Sequence, residues 1–475
     1  MKIILAALPL SLAALAGARK HSSGHSGHRH RRASGGSRSF LGPPKTICRV
    51  PDVGVEQDST PNIMAAFQKC QNDGKIVLDG NYLVKTLLYS PRLFNVEIEL
   101  TGTRKLCPHS RTRSELGPEH RLIATVSYSD DIPYWSQPTT DIHGGGSFEL
   151  DYQNATTFFF LQGESIWLHG NPASNGGKSS TFNGNGQKWW DKFAVDKEAG
   201  NPQGIESRQY ARPIMLTIGN ANNVKVEHIN FQNGPFWNIF ITNSKQVTMT
   251  NINIVAVSRS PALPYNTDGV DIYRSTDVTL LDFDVNNADD CVSLKPHSIN
   301  VEVGRMACNG SHGISVGSLG QYSDEVDIVE NVYIHDIVMS NAQAGARIKS
   351  WPNRNGTAKD AGGGSGYVKN VTFQNFVNRN VDQPLVLTSC YMHTEAYCAQ
   401  FLSKMKISDV HYINVTGTAS GKYKDVVALL DCSSECTNIT AKGTHLSLPT
   451  SDTPVYICHN IDSEKQLDFT CTGSA

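Results

Sequence analysis

Three aspartates lie in or beside stretches of sequence that are otherwise typical of buried β-strand. Asp268 is part of "NTDG", and Asp289 and Asp290 are adjacent in "ADDCVSL". An unpaired carboxylate is costly to bury because it loses its hydration. Crowded carboxylates cannot all ionise cheaply, so one of them tends to keep its proton while its neighbours are charged. One protonated and one ionised carboxyl group are what hydrolysis of a glycosidic bond requires.

Three basic side chains follow these aspartates along the chain. His312 is part of "GSHG", and Arg347 and Lys349 are part of "ARIKSW". Arg347 and Lys349 are two residues apart, so on a β-strand they face the same side. Cations beside an acidic cluster suit a substrate that itself carries carboxylates. Simple neutralisation of the aspartates explains the same residues, and the two roles are compatible.

The aspartates have two other interpretations. Calcium prefers several oxygen ligands, which usually come from one flexible loop, whereas "ADDCVSL" is strand-like and includes Cys291. Most aspartates outside active sites lie in turns. Here three aspartates converge on one face together with a histidine and two cations. This arrangement favours catalysis over a calcium site and over structural turns.

A short pattern recurs seven times after residue 220 and predicts the elements that position these residues. Each copy is Asn, Asp or Gln, then Val, then alternating polar and apolar residues, which is typical of a strand. Spacings of 23 to 39 residues without a regular helix between copies favour a stacked β-solenoid over a β-propeller, which needs a more regular period. Stacked turns would bring the three aspartates, His312, Arg347 and Lys349 onto one face, where we expect an open cleft with partly solvated carboxylates. The valines are Val224, Val247, Val278, Val301, Val332, Val371 and Val410.

Three segments are expected along the chain. Residues 1–18 combine a lysine, an apolar run and small residues, which is typical of a cleavable secretory signal. Residues 19–39 are rich in His, Arg, Ser and Gly and predict a disordered leader or propeptide. Residues 40–475 would form one domain. Within it, "DSTPNIMAAFQKC" predicts a helix with Pro61 in its first turn, which would cap the solenoid.

The charge and hydropathy of the chain exclude several partners. The formal net charge is −2, but residues 1–38 hold seven basic residues and no acidic one, so the remainder has 35 basic against 44 acidic residues. Such an acidic body has no footprint for nucleic acid. No other apolar run approaches membrane-spanning length. We expect a secreted, soluble monomer with no membrane partner, no metal and no cofactor.

Eleven cysteines behind a secretory signal imply disulfides, and the absence of a CxxC pair disfavours zinc. Cys107 would remain unpaired. Asn-X-Ser/Thr sequons agree with secretion. The local spacing suggests the pairs Cys48–Cys70, Cys291–Cys308, Cys390–Cys398, Cys432–Cys436 and Cys458–Cys471, and the sequons are Asn154, Asn309, Asn355, Asn370, Asn414 and Asn438.

The order and approximate spacing of four motifs resemble those of the polygalacturonases, glycoside hydrolase family 28. The motifs are "NTDG" at 266–269, "DD" at 289–290, "SHG" at 311–313 and "RIK" at 347–349. The resemblance covers residues 40–475 and implies a pectic polysaccharide as substrate and inversion at the anomeric carbon. The predicted fold is therefore all-β: a single-domain right-handed parallel β-helix with a short N-terminal capping helix.

The resemblance also implies roles for individual residues. Asp289 matches the general acid, and Asp268 and Asp290 match the carboxylates that activate water. His312 matches the histidine that supports the protonation state of the acid. Inversion would place the acid and base carboxyl groups roughly 6.5–9.5 Å apart, with room for a water.

Three further residues match positions that bind the substrate. Arg347 and Lys349 correspond to the residues that bind its carboxylates. Tyr391, in "TSCYM", resembles a tyrosine of a family subsite, although a packing role explains it equally well.

One departure from the family pattern concerns the mode of cleavage. The histidine motif is commonly GHG, whereas here Ser311 precedes His312, and "CNGSHGISVGSLGQY" resembles the fungal exopolygalacturonases, which release galacturonic acid from a chain end. The long insertions, including residues 350–368, are candidates to block one end of the cleft and so to enforce exo action. Endo action stays open, because blockage is a three-dimensional property. A glycan at Asn309 would crowd the site, so we expect this sequon to be unoccupied or to face away.

Other functions remain to be distinguished. "GISVG" matches the G-x-S-x-G elbow of serine esterases, but that motif needs a following helix. Hydrolysis of xylogalacturonan or rhamnogalacturonan is an alternative within the pectinases, although "RIK" favours galacturonate at the cleavage site. A pectate lyase would need a calcium site and an arginine base. A non-catalytic solenoid that binds polysaccharide would not need the four acid–base residues.

Overall fold

Most strands of the protein form one continuous parallel sheet wound into a coil. The computed structural model describes residues 41–102, 124–172, 180–198, 211–462 and 464–472. Within these ranges, 25 strands belong to the coiled sheet and one short antiparallel pair stands apart. Each strand pairs in parallel with the strand one turn later, and crossovers between parallel strands are right-handed. The predicted right-handed parallel β-helix is confirmed. The predicted signal and leader, and Cys107, lie outside the described residues.

The helices are few and short, and none of those described has the length and apolar character needed to cross a bilayer. They are α1 Thr60–Lys69, α2 Ile132–Trp135, α3 Gln187–Glu198 and α4 Glu395–Cys398, with a 3₁₀ turn at Glu464–Gln466. The strands of the first half are β1 Thr46–Arg49, β2 Gly74–Leu78, β3 Asn81–Val84, β4 Leu88–Tyr89, β5 Leu93–Leu100, β6 Ala124–Tyr128, β7 Phe148–Glu149, β8 Thr156–Thr157, β9 Phe159–Gly170, β10 Ser180–Asn183, β11 Leu216–Glu227, β12 Asn230–Gln232, β13 Ile239–Thr242 and β14 Lys245–Val255. Those of the second half are β15 Val270–Tyr273, β16 Ser275–Asn286, β17 Val292–Leu294, β18 Ser298–Asn309, β19 Ile314–Leu319, β20 Val326–Ser340, β21 Ala344–Ser350, β22 Ser365–Val381, β23 Gln383–Thr388, β24 Lys404–Ala419, β25 Val426–Lys442, β26 His445–Ser447 and β27 Val455–Ile461.

The coil has three faces, because the long strands bend and contribute to two of them. The first face, which we call the floor sheet, runs through β13, β15, β17, β19, β21 and β23 to the first residues of β25 and then β27. The second and third faces are formed by the first and second parts of β14, β16, β18, β20, β22 and β24. Apolar side chains from all three faces fill the interior.

The recurring sequence pattern marks the same corner of successive turns. The seven repeat valines are register partners in one buried column. Each residue that precedes such a valine has φ between 55° and 58°, a left-handed conformation that Asn and Asp tolerate better than most residues. Their amides also stack: Nδ2 of Asn300 donates to Asp277 at 2.9 Å, and Nδ2 of Asn331 donates to Asn300 at 3.0 Å. The pattern therefore arises from backbone conformation and amide stacking together.

Asn309 lies in a parallel ladder of this kind. Its Nδ2 donates to Asn286 at 3.1 Å, and its Oδ1 accepts from Asn341 at 2.9 Å. Three other sequon asparagines stack in the same way, so the predicted glycans at these sites would project from corners of the coil. Those residues are Asn370, Asn414 and Asn438.

The helix α1 covers the first turns, as the sequence predicts. Ile63 and Phe67 are buried, and the ring of Phe67 lies 5.8 Å from that of Phe159. The residue at the N-cap is Ser59, whose side chain makes no capping bond. Asp58 instead accepts the backbone N–H of Thr60 at 3.0 Å.

The five predicted disulfide pairings are confirmed. Cys291–Cys308 links the segment directly after Asp290 to β18, which fixes the chain at the aspartate pair. The others are Cys48–Cys70, Cys390–Cys398, Cys432–Cys436 and Cys458–Cys471.

Candidate active site

The outward-facing side chains of the floor sheet form two columns, which line a groove. Neighbouring strands lie about 4.8 Å apart, so residues in register are close neighbours. One column is Phe240, Asp271, Ser293, Ser315, Arg347 and Val386. The other contains Thr242, Tyr273, Gly317, Lys349, Thr388, Asp431 and His459, with Lys295 directly after β17.

The three aspartates meet at one edge of this groove. Asp268 precedes β15, and Asp289 and Asp290 precede β17 one turn later. The two turns are joined where Gly269 N–H donates to the carbonyl of Asp290 at 2.9 Å. One oxygen from each carboxyl group lies within 4.8 Å of the other two. The structure thus assembles the cluster that the repeat spacing predicted.

The burial of the cluster is greater than expected. Asp268 is 3% exposed and Asp290 is fully buried, whereas 16% of the side chain of Asp289 remains accessible. The expectation of three partly solvated carboxylates therefore holds only for Asp289. Because Asp289 is the most accessible, it is the carboxyl group that a bound substrate can best reach.

Asp290 is held as an anion. Lys349 Nζ lies 2.6 Å from Oδ2, Arg347 lies 3.7 Å from Oδ1, and Ser315 Oγ donates to Oδ1 at 2.7 Å. Burial opposes ionisation, but the two cations outweigh it and hold the pKa of Asp290 far below its usual range. Lys349 is itself only 5% exposed, so part of its role is the neutralisation that the sequence left open.

Ser315 is a site residue that sequence reasoning missed. It was considered only as the centre of "GISVG". The chain continues after it as strand β19 to Leu319, and its hydroxyl donates to a carboxylate. The strand–turn–helix context of a nucleophile elbow is absent at this described segment, which removes the esterase alternative.

His312 contacts Asp289 through side chain and backbone. Its Nδ1 lies 3.1 Å from Oδ1 of Asp289, and its backbone N–H donates to the Asp289 carbonyl at 2.8 Å. Asn266 Nδ2 approaches the other carboxyl oxygen at 3.4 Å. Burial favours the neutral acid, but the interaction with His312 outweighs it and lowers the pKa of Asp289.

Asp268 is the carboxyl group whose surroundings favour a proton. Burial first, and then the negative charges of Asp271 and Asp289, raise its pKa well above the usual value. In the unliganded protein the surroundings of Asp268 therefore favour a proton more than those of Asp289, the residue that matches the general acid by resemblance.

Tyr391 lies with the basic pair, as the resemblance implied. Its ring centroid is 5.1 Å from Lys349 Nζ and 5.5 Å from Arg347 Cζ. Trp351 packs edge-on against it at 5.9 Å. Arg347, Lys349 and Tyr391 thus form one cationic patch beside the carboxylates.

The geometry bears on two expectations. One oxygen from each of the three carboxyl groups lies within 4.8 Å of the other two, whereas the carboxyl groups of inverting enzymes stand roughly 6.5–9.5 Å apart. A metal ion would meet oxygen ligands here, but it would also face Lys295, Arg347 and Lys349. Three neighbouring cations make this a poor site for a divalent cation.

Before the carboxylates, the groove is closed by aromatic side chains. Tyr152 stacks on Tyr273 at 4.1 Å and lies 6.2 Å from Phe240 and from Trp237. Phe240 and Tyr273 point outward from the floor sheet, yet they are 0% and 1% exposed. We call Tyr152, Trp237, Phe240 and Tyr273 the aromatic cover.

The insertion at 350–368 packs beside the loop after β19 and against α4. Gly362 N–H donates to Gln321 at 2.8 Å, Asn353 N–H donates to Phe401 at 2.9 Å, and Asn355 N–H donates to Tyr397 of α4 at 2.9 Å. Gln153, beside Tyr152 of the aromatic cover, donates to Gln321 at 3.0 Å, so the insertion and the aromatic cover are both bonded to the loop after β19. That the insertion blocks one end of the cleft stays a prediction.

Past Lys349, a cavity of about 340 Å³ lies two to three strands further along the same column. Asp431 and His459 line it and lie 3.2 Å apart. Aromatic side chains thus cover the floor sheet on one side of the carboxylates, and an open cavity lies on the other.

The titrating groups predict that the protein is most stable near pH 4–5 and loses stability toward about pH 7. Asp290 and Asp289 have lowered pKa values, so their contribution is present above about pH 4 and is lost on acidification. Burial raises the pKa of Asp271 to about 7 and that of Asp327 to about 6, so their contribution is present below about pH 4 and is lost as pH rises through those values. Thermal unfolding from pH 3 to 8 measures this curve. Asp327→Asn should flatten its neutral side, and a melting temperature that rises from pH 5 to 7 would contradict the prediction.

Comparison with known proteins places this chain among the glycoside hydrolases. The family model "Glycosyl hydrolases family 28" matches residues 136–467. An exopolygalacturonase of Cochliobolus carbonum is 36% identical over 448 residues, which cover 92% of this chain and 89% of the relative. Exopolygalacturonase X of Aspergillus niger is 36% identical over 436 residues, with coverages of 90% and 88%. The endo-xylogalacturonan hydrolase of Aspergillus tubingensis superposes with a TM-score of 0.70 at 29% identity, covering 90% of this chain and 99% of that structure.

Proposed function

The chain belongs to glycosyl hydrolases family 28 and is a glycoside hydrolase of polygalacturonate; from this we propose that it removes galacturonic acid from the end of the polymer. The α-1,4-galacturonosyl linkage is the bond cleaved. We also infer that it acts after secretion, because five disulfides are typical of an oxidising compartment.

The proposed chemistry uses Asp289 as the general acid. It is the most accessible of the three carboxyl groups, and geometry precedes pKa in choosing an acid. As the glycosidic C–O bond breaks, Asp289 gives its proton to the leaving oxygen. A water attacks the anomeric carbon, and its proton passes to Asp268 or Asp290. His312 orients the acid through the 3.1 Å contact to Oδ1.

The proton must therefore move before the bond breaks. In the free protein Asp268 is the favoured carrier, whereas the reaction needs the proton on Asp289. Their facing oxygens lie within 4.8 Å, a separation that one water can bridge. Substrate binding over the cluster would complete this transfer, because the arriving glycosidic oxygen accepts a hydrogen bond from Asp289 only when the acid is protonated.

Arg347 and Tyr391 are proposed to hold a galacturonate carboxylate. Arg347 Nη1 donates to the His312 carbonyl at 3.2 Å, and its side chain is 15% exposed, which leaves part of the guanidinium accessible. The planar guanidinium suits a carboxylate partner. Lys349 contributes positive charge, although its nearest partner is Asp290.

The aromatic cover is the observation that supports cleavage at a chain end. It occupies the outward face of β13 and β15, the turn before Asp268 and the turn of Asp268 itself, where we infer that a second sugar of an internal segment would have to lie. On the other side, a cavity lined by Asp431 and His459 lies further along the sheet. A polymer can therefore enter with one terminal residue at the cluster and the remainder extending past Lys349.

We predict that protein recovered from culture medium releases only monomeric galacturonic acid from polygalacturonate at the earliest times, with little loss of viscosity. Tyr152→Ala should open the covered side and shift early products toward oligomers. Chromatography of early products measures the mode, and NMR of the first anomer in the same digest tests inversion. Unfolding temperatures of both proteins control for damage to the fold. An oligomer ladder from the unaltered protein would overturn the exo proposal but not polygalacturonate hydrolysis.

A further inference from the structure

A second buried charge pair lies beside the cluster and has no part in the chemistry described so far. Lys295 and Asp271 are 7% and 0% exposed. Lys295 Nζ lies 3.1 Å from Oδ1 of Asp271. Neither oxygen of Asp271 accepts a hydrogen bond from any other group in the described ranges. Burying an ion pair is expensive and is often no more stable than apolar packing, so its position calls for another explanation.

The Lys295–Asp271 pair lies next to the carboxyl group of Asp268. The same Lys295 Nζ lies 3.9 Å from Oδ2 of Asp268. Asp271 follows Asp268 by three residues at the start of β15, and Lys295 arrives from the next turn, directly after β17. One ammonium group therefore serves two carboxyl groups, of which one belongs to the catalytic cluster.

The surroundings of Lys295 strengthen its electrostatic interaction with Asp268. Lys295 Nζ lies 5.0 Å from the ring centroid of Trp237, and Tyr152 faces it from the loop above. These two rings belong to the aromatic cover and keep water away, which strengthens electrostatic interactions. The other charged groups that face Lys295 or Asp268 are Asp289 and Asp290.

We propose that Lys295 and Asp271 are positioning residues that set the proton affinity of Asp268 and so fix the pH range in which the cluster carries one proton. The inference rests on the proposed acid–base function. The lysine cation favours ionised Asp268. Burial raises the pKa of Asp271 to about 7, so the charge of Asp271 opposes ionisation of Asp268 as the pH approaches that value. Burial and the negative neighbours together raise the pKa of Asp268 well above its usual value, and Lys295 works against them.

Opposite shifts of the pH profile test the proposal. A single charge at about 4–6 Å moves a carboxyl pKa by about 1–3 units. Lys295→Met should move both limbs of the kcat/KM profile on polygalacturonate upward by about one unit or more. Asp271→Asn should move the alkaline limb downward, because Asp271 carries its negative charge only near and above about pH 7. The limbs report apparent pKa values of the cluster as a whole, and a merely structural role would lower activity without moving them.

Two further variants distinguish an electrostatic shift of the pH profile from a loss of folding. Lys295→Met/Asp271→Asn removes both charges and should return the alkaline limb close to that of the unaltered protein, with a recovered unfolding temperature. Lys295→Arg keeps the charge and should leave the limbs in place. Shifts in the same direction, or unmoved limbs in variants that fold, would overturn the inference. An unaltered protein that releases no reducing sugar would instead overturn the proposed function.

Discussion

Asp289→Asn is expected to lower kcat on polygalacturonate by about 10²–10⁴-fold, the usual contribution of a general acid. The amide occupies the same space as the carboxyl group but cannot deliver a proton to the leaving oxygen. His312 and the Asp290 backbone N–H can still contact the remaining oxygen, so the fold should persist. Release of reducing ends, measured under saturating substrate, gives the change in kcat.

The leaving group distinguishes the acid from the base. An aryl galacturonide releases a phenolate that needs little protonation, so the defect of Asp289→Asn should shrink on it, whereas that of Asp268→Asn should not. Asp284→Asn is a matched control on the exposed side of β16 and should keep full activity. If the aryl substrate instead rescues Asp268→Asn, then Asp268 is the general acid. The assignment of Asp289 to that role by resemblance would be wrong.

Lys349→Met is expected to reduce both stability and turnover. Removing one partner of a buried ion pair leaves the other charge uncompensated, at a typical cost of about 3–5 kcal/mol. Lys349 Nζ is the closest cation to Asp290, at 2.6 Å, and both side chains are buried. With the ammonium gone, the pKa of Asp290 rises and a second proton enters the cluster. The free energy of unfolding in denaturant and kcat near pH 5 measure the two effects.

A second substitution separates these effects. Lys349→Met/Asp290→Asn removes the uncompensated charge and should recover most of the stability, while activity stays low because a water-activating carboxylate is lost. Lys359→Met breaks an exposed pair with Asp324 and should change neither quantity. Full activity in stable Lys349→Met protein would show that Arg347 and Ser315 suffice to keep Asp290 ionised.

The fold and the central carboxylates were predictable because they follow from a local rule. Each turn begins with a residue in a left-handed conformation, followed by an inward valine, so Asn-Val recurs wherever the coil passes that corner. Once the period is known, residues one turn apart become neighbours. Asp268 and the pair at 289–290 are 21 and 22 residues apart, which is enough to place them together without further information.

What the sequence could not supply depends on side chains that cross between turns. Ser315 is the central residue of "GISVG", which resembles an esterase motif and does not indicate a contact with Asp290. Lys295 follows a short apolar strand that gives no sign of a functional residue. Asp271 stands only three residues after Asp268, but its partner becomes evident only from the 3.1 Å contact. The loop carrying Tyr152 lies more than 120 positions before Tyr273, on which it stacks. No periodic signal connects such residues, so the aromatic cover was not predictable from the sequence.

The strands of the floor sheet are evenly spaced, so the outward-facing residues stand at regular intervals along the surface proposed to bind the substrate. Lys349, Thr388, Asp431 and His459 mark successive strands at steps of about 4.8 Å. In the proposed mode of cleavage, the acid–base residues lie on the turns at one end of this series of strands, and the remaining polymer would lie along the turns beyond Lys349. Catalytic activity and the length of the bound polymer can therefore change independently. A turn added after β21 would lengthen the binding surface without altering the acid–base residues.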